Sequence, residues 1–408
     1  MTNKVHGGNV KNDTHIIESI QSGREEEEGK SAIIVNLYYP DILDECLRYL
    51  GEIAEIADIY IFSSNSIVLE RASEKLTGIK NIFVRQKENR GRDLSALLVG
   101  ARTYLKAYDY ICFTHDKKAK HEFLQNDLKW WMNNIWGNTV GSSGYVRNVI
   151  SLMKEGNYGI LMVPKPVGIH MDALYSTPWN DNYEHVVQLA HKLKLEVEIQ
   201  KEDTDIISLG SAFWCQTDAL KKIFTYNWKY EDFPEEPMPD DGTISHAIER
   251  IFGFVAIDAG YNVGTIMNGE YAAYMVEMLQ EKMQMTYKWL WENLGVKNTY
   301  QLENFNREQK IIEEMFTGDK NVYLYGAGNY GVKYLQRLIF WGYRPKGYVV
   351  SDGHRESMYC QGFPVKELHE LKDERDVEII ITTNPQLQNI IATQLEKIGI
   401  SYYKAIIV

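Results

Sequence analysis

The sequence predicts an α/β fold in which a mostly parallel sheet domain is followed by a helical connector and a second, small α/β domain. Three observations predict it. From Ser31 onward, short β-branched segments alternate with amphipathic ones, the pattern of parallel strands joined by right-handed crossovers. Charged turns directly follow several of those strands. Near Asn321 a new strand runs into a glycine-rich turn and a helix. The boundaries read as a flexible acidic tail over 1–30, the first domain over 31–280, the connector over 281–317 and the last domain over 318–408.

Each element has its own justification. Up to about Lys30 the chain includes Arg24-Glu25-Glu26-Glu27-Glu28-Gly29 and lacks apolar periodicity, hence the tail. Ala32-Ile33-Ile34-Val35-Asn36-Leu37 is a buried-type strand, and Asp41 to Ile56 reads as an amphipathic helix. Asp58-Ile59-Tyr60-Ile61-Phe62 is a second strand, ending in Ser63-Ser64-Asn65-Ser66. A helix around 68–76, a strand over 81–85, an Ala/Leu-rich helix after Asp93 and a strand over 108–113 continue the alternation. The pattern dissolves near Met275 into a helical segment rich in Met, Glu, Lys and Trp, which runs to about Phe316.

Composition narrows the class. A chain of 408 residues, 44% hydrophobic and 25% charged, is an ordinary soluble protein of two or three domains. A net charge of -12 argues against nucleic acid as a partner, since sequence-independent binding needs a basic surface. Cys46, Cys112, Cys215 and Cys360 are scattered without metal spacing, which fits a reduced, cytoplasmic compartment. No apolar stretch approaches a membrane span, and the polar N-terminus does not resemble a signal peptide. The 9 tryptophans and 27 tyrosines suit stacking on sugars and nucleobases, although many must be core.

Chemistry concentrates in the turns. Glu88-Asn89-Arg90-Gly91-Arg92-Asp93 joins a strand to a helix, the place where open α/β sheets bind ligands. The planar forks of Arg90 and Arg92 suit a diphosphate, with Asp93 left to orient them. After the strand at 108–113 comes Thr114-His115-Asp116-Lys117-Lys118, where His115 and Lys117 could neutralise the same group. Asp116 is a thin, single-carboxylate site for Mg or Mn. A third turn, Glu235-Glu236-Pro237-Met238-Pro239-Asp240-Asp241-Gly242-Thr243, precedes a helix that carries His246 and Glu249. Asp241 is a candidate general base whose pKa neighbouring acids would raise, and helix capping is compatible with that role. Ser208-Leu209-Gly210-Ser211-Ala212-Phe213-Trp214-Cys215 offers a close backbone approach with Trp214 as a stacking wall, although a core strand would look similar. Trp179 lies in an irregular polar stretch suited to a substrate loop, while Trp130 to Gly137 has the aromatic spacing of a packed helix.

The last domain opens with Asn321-Val322-Tyr323-Leu324-Tyr325, then Gly326-Ala327-Gly328-Asn329-Tyr330-Gly331. That is the spacing of a dinucleotide fingerprint, with Asp352 near the distance for a ribose contact. A small Rossmann-like unit binding a nucleotide through Gly326, Gly328, Gly331 and Asp352 follows, although a vestigial or regulatory module fits equally well.

Five motifs in this order, from Asn36-Leu37-Tyr38-Tyr39-Pro40-Asp41 to Asp241-Gly242-Thr243 with His246-Ala247-Ile248-Glu249-Arg250, resemble the rhamnan synthesis protein F family. The resemblance covers roughly Ser31 to Tyr274, and the layout is similar to inverting GT-A glycosyltransferases. It implies transfer of a deoxysugar, rhamnose from dTDP-rhamnose, to a lipid-linked cell-surface polysaccharide, with contact at the inner face of the membrane. It places Tyr38, Ser63 and Asn65 near the nucleobase and Arg90, Arg92, His115 and Lys117 on the diphosphate. Asp241 becomes the base, Asp240 or Glu249 orients it, and His246, Trp214 and Trp179 face the acceptor. The chain reads His-Asp-Lys-Lys at 115–118 where the family would read His-Thr-Lys-Lys, which leaves a metal at Asp116 open. Two alternatives remain: a non-catalytic sugar-nucleotide-binding or scaffold protein, and an NAD-dependent oxidoreductase. The second lacks a Tyr-x-x-x-Lys pair.

Overall fold

A computed structural model describes residues 12–19, 29–118, 130–166, 178–294 and 299–406. The chain divides into two compact units, 1–279 and 280–408, and the division falls inside the helix Gly269–Leu294.

The first unit is built on strands β1 (Asp13–Ile17), β2 (Ser31–Asn36), β3 (Asp58–Ser63), β4 (Ile82–Gln86), β5 (Tyr110–His115), β6 (Tyr158–Met162), β7 (Phe213–Gln216) and β8 (Asn262–Asn268). Their order is β1-β8-β6-β7-β5-β2-β3-β4, and β7 runs antiparallel to both neighbours while the other pairs are parallel. Helices cover both faces, so the inner strands are apolar on both sides. Along β2, Ala32 and Ile34 enter one core and Ile33 and Val35 the other, the period-2 alternation of a strand. The helices Tyr183–Lys192 and Ile244–Asp258 pack on the first core, and Ser66–Lys75 and Ser143–Glu155 on the second.

Two expectations change here. Part of the acidic tail is a strand: β1 pairs in parallel with β8 at the sheet edge. Its short polar sequence has no strong periodicity of its own, and the partner's backbone supplies the order. The helix expected over Asp41–Ile56 is confined to Leu43–Arg48, followed by a 3-10 turn at Ile53–Glu55.

The second unit carries β9 (Asn321–Tyr325), β10 (Gly347–Val350), β11 (Tyr359–Cys360), β12 (Phe363–Glu367), β13 (Val377–Ile381) and β14 (Ser401–Lys404) in the order β11-β12-β10-β9-β13-β14. Apart from the β11–β12 hairpin the pairs are parallel, which is the Rossmann-like arrangement. The connector helix Thr299–Met315 belongs to this unit and sinks Ile312 and Met315 into its core. Buried Glu308 on that helix meets Arg337 at 2.7 Å and accepts the Ile406 N–H at 2.7 Å, tying the connector to the chain's last strand segment.

Gly326 sits at φ 113° after β9, and a Cβ on Gly331 would strike the Gly326 carbonyl. Gly331→Ala is therefore expected to destabilise the second unit by about 1–3 kcal/mol, the usual range for overpacking. Chemical denaturation followed by a probe in this unit checks it, and an unchanged midpoint would count against the close approach.

Candidate functional site

Across the first sheet the chain proceeds one way from β2 to β4 and the other way from β5. The carboxyl ends of β2 and β5 lie side by side at that switch point, with Asn36 opposite His115. Ligands of open α/β sheets bind in such a crevice. Because β7 is antiparallel, with Phe213 opposite Phe113, the Gly210-Ser211-Ala212 turn comes to the same end.

Asp116 holds the turn after β2. Its Oδ2 accepts the N–H groups of Tyr38 and Tyr39 at 2.7 and 2.8 Å. Burial pushes this carboxyl up to about 6, against the two N–H bonds and His115, while Asp93 adds repulsion. With one oxygen so occupied, and no group of three ligand side chains including it among the described residues, Asp116 is a poor fit for Mg or Mn. Asn65 donates to the Tyr38 carbonyl at 3.0 Å and accepts the Ile67 N–H as the cap of Ser66–Lys75. Ser63 is fully buried, its hydroxyl against the Asn65 backbone. Ser63 and Asn65 thus shape the turn and are not free to read a nucleobase. Tyr38 remains 42% exposed, with its ring edge-on to Tyr39.

In the Glu88–Asp93 turn, Gly91 (φ 71°) and Arg92 (φ 44°) are both left-handed. Gly91 is required on two grounds, since a Cβ there would also lie 2.6 Å from the Phe233 ring. Below the turn, buried Lys87 donates to the Glu88 carbonyl and to Ser95 Oγ, each at 3.0 Å. Ser95 Oγ in turn lies 2.6 Å from the Arg90 carbonyl and 3.1 Å from that of Arg92. Burial drives Lys87 down to about 8, against the pull of Asp93, Glu236 and Glu88. Sequence reasoning passed over Lys87, although an ammonium directly after a strand and before a charged turn was a usable signal.

The two arginines part ways. Arg90 gives Nε to the Phe233 carbonyl at 2.6 Å and its terminal nitrogens face Glu235 and the Glu231 carbonyl at 3.5 Å. It fastens the 231–235 segment, chiefly through the Phe233 carbonyl. Arg92 donates to the Met238 carbonyl at 3.1 Å and stands 3.6 Å from Glu236, yet its side chain is 38% exposed. Its charge acts on both Tyr39 and His246, which places it between the donor-side and acceptor-side turns. His115 is a tether: Nδ1 lies 2.8 Å from the Asp116 carbonyl and Nε2 2.6 Å from the Gly210 carbonyl. Asp93 stands 3.8 Å from the same Nε2. Lys117 lies 4.8 Å over the Trp131 ring.

On the acceptor side, Thr243 caps the helix Ile244–Asp258 and lies 2.8 Å from His246 Nδ1. Asp241 Oδ1 accepts the Asn182 amide at 2.6 Å and lies 3.9 Å from His246 Nδ1. Partial burial works to raise the Asp241 carboxyl, but the Asn182 amide and the Gly242 N–H outweigh it. Asp241 therefore titrates below the usual carboxylate range, the reverse of the expected rise. Burial lowers His246, leaving a neutral imidazole at neutral pH. Asn182, fully buried, is the orienting residue that the sequence did not reveal.

Three other expectations are corrected. Glu249 accepts the Gly210 N–H at 2.6 Å and meets Arg250 at 3.3 Å, so it anchors the Gly210 turn and does not orient Asp241. Trp214 is fully buried in β7 with its N–H on the Thr139 carbonyl at 2.8 Å. Trp179, 8% exposed, stacks on Phe254 and donates to the Lys201 carbonyl at 2.8 Å. Both indoles fill core with their polar edge satisfied, as buried tryptophans do, and offer no wall to a sugar. Asp240 is exposed beside Asp241. In the second unit, Gly328 is the N-cap of the helix Asn329–Phe340, and Asp352 Oδ1 accepts the His369 N–H at 2.9 Å.

The first unit is an α/β protein whose charged turns gather at the switch point of a mostly parallel sheet. The chain belongs to the rhamnan synthesis protein F family, which matches residues 10–261. Relatives include the uncharacterized protein WxcX of two strains of Xanthomonas campestris pv. campestris, 25% and 24% identical over 246 residues. Those matches span 58% of this chain but 32% of each WxcX. The solved structure of S. aureus TarS 1-349 aligns at 12% identity over 58% of each chain, with a TM-score of 0.29.

Asp116 yields a pH prediction. Its folded-state value, about 6, stands above the ordinary 3.8, so protonation favours the fold. Its contribution is complete below the ordinary value and is lost as pH rises through about 6. Asp116→Asn keeps an acceptor for the Tyr38 and Tyr39 N–H groups and cannot titrate. Between pH ~4 and ~7 the parent should lose stability relative to this variant by denaturation midpoint. Parallel pH curves would contradict the burial argument.

Proposed function

We propose that the first unit is an inverting glycosyltransferase which moves a deoxysugar, rhamnose from dTDP-rhamnose, onto a lipid-linked cell-surface polysaccharide. The observation that carries the reading is Arg92, a partly exposed cation whose charge acts on both Tyr39 and His246, with ionised Asp241 beside that same His246, in a chain of this family. Tyr38 offers its ring to the base, and Arg92 with Lys117 takes the departing diphosphate.

In the reaction, Asp241 receives the proton of the acceptor hydroxyl as that oxygen attacks the anomeric carbon. The bond from that carbon to the diphosphate oxygen breaks on the opposite face, so configuration inverts. Asn182 aims the carboxylate, and neutral His246 adds no charge beside it. A low-pKa base is ready in its ionised form at neutral pH. Much of the barrier reduction then falls to cations that stabilise the leaving diphosphate.

The described residues contain no helix long and apolar enough to cross a membrane. A cytoplasmic protein meeting its lipid-linked acceptor peripherally is part of the proposal. So is a nucleotide at the Gly326–Gly331 turn of the second unit, where Asp352 already accepts from His369. One observation favours a second reading, a non-catalytic binding or scaffold protein: Arg90 gives its shortest bond to the Phe233 carbonyl and turns its terminal nitrogens to the 231–235 segment.

Asp241→Asn separates them. Under the enzyme reading it lowers transfer by about 10²–10⁴-fold while dTDP-rhamnose binding stays within about twofold. Nucleoside diphosphate release by the parent and the variant, with binding measured calorimetrically, checks both arms. Tight binding without turnover in the parent would instead support the scaffold.

A further inference from the structure

Trp131 follows the polar stretch after β5 and begins the helical turn leading to Trp136. Its neighbour Trp130 stacks flat on Tyr274 at 3.8 Å, which fixes this part of the backbone. Trp136 is fully buried in the core. Trp131 differs from both: half-buried, it has Lys117 over its ring at 4.8 Å.

Its indole N–H is buried and has no hydrogen-bond partner. A buried N–H left unpaired costs about 1–3 kcal/mol, so natural structures rarely retain one without a reason. Trp214, Trp179 and Trp228 each give their N–H to a backbone carbonyl, while Trp136 and Trp341 share the unpaired state; of the three unpaired indoles among the described residues, Trp131 is the one with an ammonium over its ring at this end of the sheet. The space beside the Trp131 N–H is also specified. Gly210 lies there at φ 96°, and among the described residues a Cβ on it would meet Trp131 Nε1 first, at 4.0 Å. The Gly210 carbonyl cannot serve the indole, since it faces His115 Nε2 at 2.6 Å. An indole donor and an ammonium thus lie together beside the Gly210 turn, at the carboxyl end of β5 and the amino end of β7. What both groups call for is an oxygen acceptor carrying negative charge.

We propose that Trp131 Nε1–H and the Lys117 ammonium, across the open face of Gly210, form a phosphate-oxygen subsite. This deepens the glycosyltransferase reading and rests on it for the identity of the ligand: the subsite would hold the donor diphosphate opposite Arg92. It gives the donor site an aromatic residue that Trp214 does not supply. The role of the indole is to donate a hydrogen bond, since the ammonium already covers one face of its ring.

The test uses the full chain and measures binding of dTDP, thymidine and inorganic pyrophosphate by calorimetry. Trp131→Phe keeps a ring under Lys117 and removes the N–H. Lys117→Gln removes the charge from a partly exposed position where folding is not at stake. Each substitution should weaken dTDP and pyrophosphate about tenfold and leave thymidine unchanged, the loss of one hydrogen bond to a charged group. If the parent binds pyrophosphate but no nucleotide, and both variants lose it, the subsite stands while the donor reading fails. Should dTDP and pyrophosphate bind parent and both variants equally, the subsite is overturned while the donor reading survives. No binding of either diphosphate by the parent overturns both. A loss in Trp131→Phe that extends equally to thymidine marks a packing role and also overturns the proposal.

Discussion

The clasp between the Glu88–Asp93 turn and the 231–238 segment is the interaction on which the site depends. Gly91 and Arg92 both lie in the left-handed region, and Phe233 packs where a side chain on Gly91 would be. Arg90 bonds to the Phe233 and Glu231 carbonyls and Arg92 to that of Met238. Hydrogen bonds from a charged donor contribute about 1.5–3 kcal/mol each, whereas an exposed ion pair such as Arg90–Glu235 contributes about 0–1. The carbonyls therefore outweigh the carboxylates, and the clasp is chiefly an arginine-to-backbone structure. Its consequence is that the turn after β4 and the approach to Asp241 are fastened together. Donor-side and acceptor-side groups share one frame.

Charge within that frame is balanced at short range. The chain carries a net charge of -12, so an anionic donor gains nothing from the overall field and must find cations locally. Asp116 and Asp93 repel each other at the end of β5, and burial already favours protonated Asp116. With a value of about 6 the carboxyl is still mostly ionised at neutral pH, so Asp116 keeps its negative charge at this end of the sheet. Asp241 is treated differently: an amide and a backbone N–H keep it ionised. Two carboxylates a short way apart in the same site are thus driven in opposite directions by their surroundings, one towards a structural acceptor and one towards a base.

Much of the fold was legible because strands such as Ala32–Leu37 and Asn321–Tyr325 are apolar on successive residues, which only a two-sided core requires. β1 was not legible, since Asp13-Thr14-His15-Ile16-Ile17 owes its order to β8. At the level of segments, the turns after β2 and β5 and before β7 lie together at one end of the sheet, as their place at strand ends implied. Individual roles were not legible, because residue type does not disclose a partner. Arg90 and Arg92 are two residues apart and chemically identical, and what separates them is which carbonyls lie above each. Trp214 and a sugar-stacking tryptophan look alike until strand register sends one indole inward. Asn182 and Lys87 belong to no motif, and only their bonds to Asp241 and Ser95 reveal them.

A distinction between the two units follows from what folding alone explains. In the second unit, Gly331 is needed because its helix presses on the Gly326 carbonyl, and Gly326 because the turn is left-handed. Both hold whether or not a nucleotide binds, and Asp352 has a partner in His369. The fingerprint there is thus accounted for by packing. In the first unit some features are not. Folding gains nothing from leaving the Trp131 N–H unpaired or from keeping Tyr38 exposed at a strand end. Groups that cost stability and serve no packing purpose are the ones a ligand would justify. They gather at the crevice between β2, β5 and β7, which is why function is argued from that edge and not from the glycine motif.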